Sequence, residues 1–139
     1  MVRVLATGTF NILHPGHLLY FEEAKKLGDE LFVIVARDTN VRHKPKPIIP
    51  EEQRVKMVSA LSIVDKALLG SEKDTFELLY EIKPDIIAIG YDQHFDAEEL
   101  KRELASRKIK AEVVRIEENY PCDFCSSGNI IRHIVERYK

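Results

Sequence analysis

The amino-acid sequence predicts an α/β fold in which about five parallel strands alternate with helices that cover both faces of the sheet. The first observation is that short apolar runs, rich in β-branched residues, alternate with longer segments whose apolar residues recur at helical spacing. The second is that the strand runs are apolar throughout, which is typical of parallel strands buried on both faces. This alternation implies right-handed crossovers between strands. We therefore expect a single Rossmann-like domain over residues 1–139.

The first strand and helix show the pattern most clearly. Residues 2–6 form an apolar run, and the segment 18–27 carries apolar and aromatic residues at helical spacing. Gly28 then supplies a residue at which the helix can end. Residues 31–36 are the second predicted strand, since this run is apolar and rich in β-branched residues.

The rest of the chain repeats the alternation. Pro50 followed by two glutamates suits a helix start, because negative charge there complements the helix dipole. Further strands are predicted at residues 63–69, 85–89 and 112–116. Further helices are predicted at residues 76–82, at 96–107 with Asp96 as the N-cap, and from a Ser126–Ser127 N-cap to the end of the chain.

Composition and charge narrow the class of protein. The chain is 45% hydrophobic and 32% charged, as is ordinary for a soluble globular domain. The net charge of −2 makes no electrostatic case for nucleic acid or a membrane surface as a partner. No run approaches the ~20 apolar residues of a membrane span. Because the first residues predict a strand and only 2 cysteines occur, we expect a cytoplasmic protein and not a secreted disulfide scaffold.

The stretch from Gly8 to His17 is the central functional feature of the sequence. It forms the turn between the first strand and first helix, at the sheet edge where ligands of open α/β folds bind. Gly8 and Gly16 allow close approach of the backbone to a ligand. Pro15 suits the first helical position, and the N–H groups behind it predict an anion site at the helix start.

Two histidines strengthen the prediction of a phosphate site. His14 and His17 stand three apart across the helix start, so both imidazoles can lie on one side of it. With the Thr9 hydroxyl they predict a phosphate clamp. Either histidine alone could equally be a cap or a packing residue. A zinc site would need further ligands beyond the pair.

A basic segment follows the second strand, on the same predicted edge. Its prolines keep residues 37–47 extended, and Lys44 and Lys46 are placed to reach the β- and γ-phosphates of a nucleotide as flexible charges. The alternative is a solvated loop.

Later segments add candidates at the same edge. Asp92, after a glycine at the end of a buried strand, suits a ribose hydroxyl or a metal, although an aspartate in a turn often caps its own backbone. Tyr120 could flank the base of a nucleotide or pack against the protein.

The sequence also contains a cysteine pair, Cys122-x-x-Cys125, which is half of a structural zinc site. We interpret it as two thiols that border the site without a catalytic role.

One combination of residues at fixed spacing resembles the signature of the cytidylyltransferase-like nucleotidyltransferases. It consists of Gly8-Thr9-Phe10 followed by His14-x-Gly16-His17. That family transfers a nucleoside monophosphate from a nucleoside triphosphate to an acceptor phosphate and releases pyrophosphate. The family usually has Asp where this chain has Asn11, which keeps one acceptor oxygen without the charge. On its own helix Arg54 is predicted to be exposed or salt-bridged, and the resemblance also makes it a minor candidate for phosphate contact.

Over nearly its whole length the chain is most similar to FAD synthases of the archaeal type, notably in residues 34–38 and 46–54. The resemblance implies transfer of AMP from ATP to FMN, with a divalent cation such as Mg²⁺ as cofactor and a homodimer as assembly. It implies catalytic roles for His14, His17, Lys44 and Lys46. The implied nucleotide-binding residues are Thr9, Phe10, His14, Pro15, Gly16, His17, Asp92, Tyr120, Ser126 and Ser127, and no protein ligand of the metal is assigned.

Two alternatives remain open. Glycerol-3-phosphate cytidylyltransferase and pantetheine-phosphate adenylyltransferase share the central motif, and they differ in nucleotide or acceptor. A non-catalytic nucleotide sensor would also fit the sequence. The departures that favour it are Asn11, the cysteine pair and Pro121 (where many relatives have Arg), as signs that the family's site has been adapted from catalysis to binding.

Overall fold

A computed structural model describes residues 1–41, 45–74, 76–90, 96–117, 122 and 124–139. Its strands are β1 (Arg3–Gly8), β2 (Glu30–Val35), β3 (Lys66–Leu69), β4 (Ile86–Ile89) and β5 (Glu112–Arg115). Its α-helices are α1 (Pro15–Lys25), α2 (Glu51–Ser59), α3 (Leu79–Ile82), α4 (Ala97–Ser106) and α5 (Ser127–Arg137), and a 3-10 turn covers Asp38–Asn40.

The five strands form one parallel sheet in the order β3-β2-β1-β4-β5. The predicted α/β fold with a five-stranded parallel sheet is confirmed. The chain leaves β1 toward β2 and β3, then crosses back to place β4 on the other side of β1. The carboxyl ends of β1 and β4 are therefore the topological switch point, where open α/β sheets bind ligands.

Alternate residues of the strands supply two apolar cores, one on each face of the sheet. On one face Val4 and Ala6 of β1 pack with Phe21 of α1 and Val58 of α2. On the other face Leu5 packs with residues from α3, β4 and α4, namely Leu79, Ile82, Ile87, Ile89 and Leu104. Burial on both faces explains why the strand sequences are apolar throughout.

The predicted starts of β3 and α3 differ from the structure by three residues, and residues 38–40, predicted as extended, form a 3-10 turn. β3 begins at Lys66 and not at residue 63, because Ile63 and Val64 pack into the core from a turn in which Val64 N–H donates to Leu61 O. α3 begins at Leu79 and not at residue 76. The Asp96 cap is confirmed, since its Oδ1 accepts from the N–H groups of the first turn of α4.

Asp65 fastens the amino end of the sheet, on the side away from the switch point. Its Oδ2 accepts from Lys25 Nζ at 2.6 Å and from Leu31 N at 2.7 Å. The Lys25 ammonium, followed by the Leu31 N–H, holds the pKa of the Asp65 carboxyl below its usual value. One carboxylate thus ties the start of β3 to α1 and β2. Within the described part of the chain, no helix is long and apolar enough to cross a membrane.

Candidate active site

The turn after β1 begins with a tight reversal at Phe10. Its φ of 55° is uncommon for a residue other than glycine, and it folds the ring back over Gly8. A Cβ on Gly8 would lie 2.7 Å from that ring, which is why glycine is required there. The Phe10 ring is 5% exposed and packs 5.1 Å from the rings of both Phe21 and His17. Phe10 thus places its side chain in the core and supports the turn from below, and its nucleotide-binding role stays a prediction.

His14 and His17 form a reciprocal cap at the start of α1. His14 is the N-cap, and its Nδ1 accepts from Gly16 N at 3.1 Å. The Nδ1 of His17 accepts from His14 N at 3.3 Å. The two rings stack with centroids 3.7 Å apart and an interplanar angle of 24°. The prediction that both imidazoles lie on one side of the helix start is confirmed.

The double cap has a chemical consequence for both rings. An Nδ1 that accepts a backbone hydrogen bond carries no proton, so each neutral ring holds its hydrogen on Nε2. In each ring the nitrogen that carries the hydrogen is therefore Nε2.

The cap also changes which groups at the helix start can bind an anion. The sequence suggested that backbone N–H groups behind Pro15 would do so. Pro15 is the first residue of α1 as predicted, but Gly16 N–H donates to the His14 ring, and His17 N–H donates to His14 O at 3.0 Å. The first turn thus uses these two backbone donors in its own cap, and they are not open to an anion.

Beneath the motif lies a fully buried arginine. Arg54 of α2 is 1% exposed, and its guanidinium donates to Thr9 O at 2.7 Å, to Ala36 O at 2.8 Å and to Ile49 O at 2.8 Å. It also pairs with Asp38 Oδ1 at 2.6 Å. This side chain joins the segments after β1 and β2 to the segment before α2. The predicted salt bridge of Arg54 is confirmed, whereas the alternative of an exposed side chain is wrong.

Asn11 joins the motif to the segment before α2. Its Oδ1 accepts from Ile48 N at 3.0 Å and from Ile49 N at 3.1 Å. Lys46, two residues earlier, is exposed. Asn11, for which the sequence predicted no partner, therefore holds Ile48 and Ile49 to the histidine turn, and Lys46 lies two positions before Ile48.

The start of α5 forms a second wall of the site. Ser126 is the N-cap as predicted, its Oγ accepting from Asn129 N at 3.3 Å. Ser127 donates to Ile12 O at 3.3 Å, which ties α5 to the motif. The Cys125 carbonyl lies 3.0 Å from the place a Cβ on Gly16 would take, so Gly16 is needed for close approach of the two helix starts. Cys125 is disulfide-bonded to Cys122, where two thiols were expected.

Tyr20 of α1 lies at the switch point itself. Its hydroxyl donates to Ala88 O of β4 at 2.6 Å and accepts from Thr7 N of β1 at 3.1 Å. It bridges the two strands near their carboxyl ends. Helical spacing places Tyr20 in the first helix but does not reveal the target of its hydroxyl, which lies on a strand 68 residues away.

Three predicted site residues, Lys44, Asp92 and Tyr120, lie outside the described residues. Among the residues that are described, no group of three or more His, Cys, Asp or Glu side chains is arranged to hold a metal ion. The oxygen of Asn11 is occupied by two backbone donors. The described residues thus do not build a protein cage for a divalent cation.

The profile of the cytidylyltransferase-like family matches residues 5–133, from β1 into α5, and the chain belongs to that family. An FAD synthase of Archaeoglobus profundus is 64% identical over 139 residues, which covers 100% of this chain and 90% of the relative. An FAD synthase of Methanosarcina barkeri is 64% identical over 138 residues, covering 99% of both chains.

Two solved structures share the architecture. A lipopolysaccharide core biosynthesis protein from Thermoplasma volcanium is 48% identical with a TM-score of 0.83, covering 87% of this chain and 99% of its own. A protein of unknown function from Archaeoglobus fulgidus is 17% identical with a TM-score of 0.68, covering 83% of this chain and 89% of its own. At that identity the second likeness concerns the fold alone.

Proposed function

We propose that this chain is an FAD synthase, which transfers the AMP group of ATP to the phosphate of FMN and releases pyrophosphate. The observation that carries the proposal is the 64% identity to FAD synthases over the whole length of the chain. The site supports it independently. Two imidazole donors at the switch point of an open α/β sheet suit a polyphosphate ligand, because charge-assisted hydrogen bonds to phosphate oxygens are strong.

In the proposed reaction an FMN phosphate oxygen attacks the α-phosphorus of ATP in line with the leaving pyrophosphate. A P–O bond to FMN forms while the bond from the α-phosphorus to the bridging oxygen breaks. A phosphate monoester has its second pKa near 6, so the attacking oxygen is largely deprotonated at neutral pH and needs no general base. Catalysis then depends on positioning and on stabilising the charge that moves onto the leaving group.

His14 and His17 are assigned to that charge. The caps orient both rings before substrate arrives and leave the hydrogen of each on Nε2. Each Nε2–H then donates to an oxygen of the α- or β-phosphate. Because the rings are stacked and capped, they need little reorganisation during the reaction, which is the condition under which such donors contribute most.

Lys44 and Lys46 are assigned to the β- and γ-phosphates, as point charges that follow the leaving pyrophosphate. Mg²⁺ is proposed to enter with ATP as part of the substrate. Among the described residues, no group of protein ligands surrounds a metal ion. This is consistent with the proposal, because Mg²⁺ in nucleotide sites is held largely by phosphate oxygens and water.

The remaining assignments concern the nucleotide. Thr9, Pro15 and Gly16 are assigned to the phosphates, and Ser126 and Ser127 at the start of α5 are assigned to the triphosphate from the opposite side. Asp92 for the ribose and Tyr120 for the base stay predictions from the sequence, as do a cytoplasmic location and a homodimer.

The experiment that tests the proposal is turnover of purified protein under reductant with MgATP and FMN, with MgCTP in a parallel reaction. We expect FAD and pyrophosphate to form from ATP in equal amounts. Product from CTP alone would replace the proposal with a cytidylyltransferase, with glycerol 3-phosphate as the acceptor to test next. Turnover with pantetheine phosphate but not FMN would change the acceptor, and ATP binding without any pyrophosphate would indicate a sensor.

The histidine assignment is tested in the same assay by His17→Ala. Loss of one positioned donor to a developing charge typically lowers kcat by ~10²–10³. Near-wild-type turnover of this variant would remove His17 from the mechanism.

A further inference from the structure

The segment before α2 is held at the site by polar contacts. Ile48 is 66% exposed, so burial of its side chain contributes little to holding it. What fixes the backbone here is the Asn11 carboxamide, whose oxygen accepts from two consecutive N–H groups, those of Ile48 at 3.0 Å and Ile49 at 3.1 Å. An amide oxygen has two lone pairs, and both are used.

A second contact fixes the same point of the segment. Arg54 donates from Nε to Ile49 O at 2.8 Å and from Nη1 to Thr9 O at 2.7 Å. Ile49 is therefore held at its N–H by Asn11 and at its carbonyl by Arg54. Since Arg54 also holds Thr9, two residues before Asn11, the network closes on the histidine turn itself.

This network limits where Lys46 can go. Lys46 lies two positions before Ile48, and an extended chain advances at most about 3.5 Å per residue, so the two Cα atoms lie within about 7 Å. Lys46 lies on an exposed part of this segment. Its ammonium group is thus tethered near the motif without being fixed in one place, which suits a cation that follows phosphates during a reaction.

We propose that Asn11 is a positioning residue, which acts on the reaction by holding the Lys46 segment beside the triphosphate. The proposal rests on the proposed function, because it assumes that Lys46 meets the phosphates of ATP. It also explains how Asn can stand where the family usually has Asp. The position needs an oxygen that accepts two backbone hydrogen bonds, and an amide and a carboxylate both supply one.

The test uses Asn11→Ala, Asn11→Asp and a matched control, Asn40→Ala. Asn40 lies on the 3-10 turn after β2, where its Nδ2 donates to Ser71 O at 2.8 Å, so the control also deletes one asparagine contact between two segments. Amide hydrogen exchange at Ile48 and Ile49 is measured by NMR in the protein without nucleotide. Kinetic constants for ATP are measured on the same samples.

We expect Asn11→Ala to speed exchange of both amides by about tenfold or more, since each lost bond leaves its N–H open to water. The KM for ATP should rise by a similar factor, with a smaller change in kcat. Asn11→Asp should restore the protection of the amides and most of the affinity. Asn40→Ala should leave both readouts at their wild-type values.

Two results would overturn the proposal. Unchanged exchange at Ile48 and Ile49 in Asn11→Ala would show that the carboxamide does not hold the segment. Faster exchange with an unchanged KM for ATP would show that the segment is held but does not serve the site. If wild-type protein makes no FAD at all, the proposed function fails, while exchange and calorimetric ATP binding still decide the role of Asn11.

Discussion

Replacement of Arg54 by Met is expected to be one of the most destabilising single changes in this chain. Methionine keeps much of the apolar stem but removes every donor of a side chain that is 1% exposed. Three backbone carbonyls and Asp38 lose their partner at once. Hydrogen bonds from a charged donor contribute about 1.5–3 kcal/mol each, so four of them set an upper bound of about 6–12 kcal/mol.

The expected loss is smaller than that bound. Asp38 has a side chain that is 37% exposed and can be hydrated once its partner is gone, and the acceptors lie in loops that can relax toward water. Removing one partner of a buried ion pair typically costs about 3–5 kcal/mol, and we expect a value in this range. Against a total stability of about 5–15 kcal/mol, such a loss is large but still measurable.

Urea unfolding followed by circular dichroism measures this difference, with Arg102→Met as the control. Arg102 is an exposed residue of α4, and its replacement should change the free energy of unfolding by no more than about 0.5 kcal/mol. Arg54→Lys keeps the charge but not the planar fork, so its loss should be intermediate. A loss below about 1 kcal/mol for Arg54→Met would refute the view that this guanidinium holds the three segments together.

Three further changes probe other parts of the account. Because the folded pKa of Asp65 is lowered, its contribution to stability is present above pH ~4 and lost as pH falls through the folded value. The loss of unfolding free energy between pH 7 and about 2.5 should therefore be smaller in Asp65→Asn than in wild type, and equal losses would contradict this. Gly16→Ala brings a Cβ to 2.9 Å from a histidine ring and should lower turnover by about 10²-fold through displacement of the motif, whereas activity near wild type would show that the turn has room. Ser126→Ala removes the cap of α5 and should cost about 1 kcal/mol in urea unfolding, an effect that vanishes if the cap is not formed in solution.

Much of the fold could be predicted because its signals are local. Apolar runs and helical spacing depend only on neighbouring residues, and a parallel sheet leaves these runs uninterrupted. The start of β3 was placed too early for the same reason. Ile63 and Val64 are apolar and β-branched like a strand, but they reach the core from a turn.

The site was only partly predictable. The spacing of His14 and His17 indicated one shared side, and Pro15 indicated the helix start. Which ring nitrogen carries the hydrogen depends on cap geometry that no spacing reveals. The burial of Arg54 could not be predicted, because its acceptors come from positions 5, 18 and 45 residues away along the chain and meet only in the folded protein. The two bonds of Asn11, 37 and 38 residues away, are hidden from sequence in the same way.

The most direct test of the central claim, that this histidine turn transfers AMP to FMN, is FAD formation by the wild type beside His14→Ser. Serine keeps an oxygen that can cap α1, so the helix start is preserved while the imidazole donor is lost. Chromatography of quenched reactions with MgATP and FMN measures FAD, and urea unfolding checks that the variant is folded. The account predicts FAD from the wild type and a fall of about 10²-fold or more in the folded variant. FAD formed by the variant at the wild-type rate, or none formed by the wild type, would contradict it.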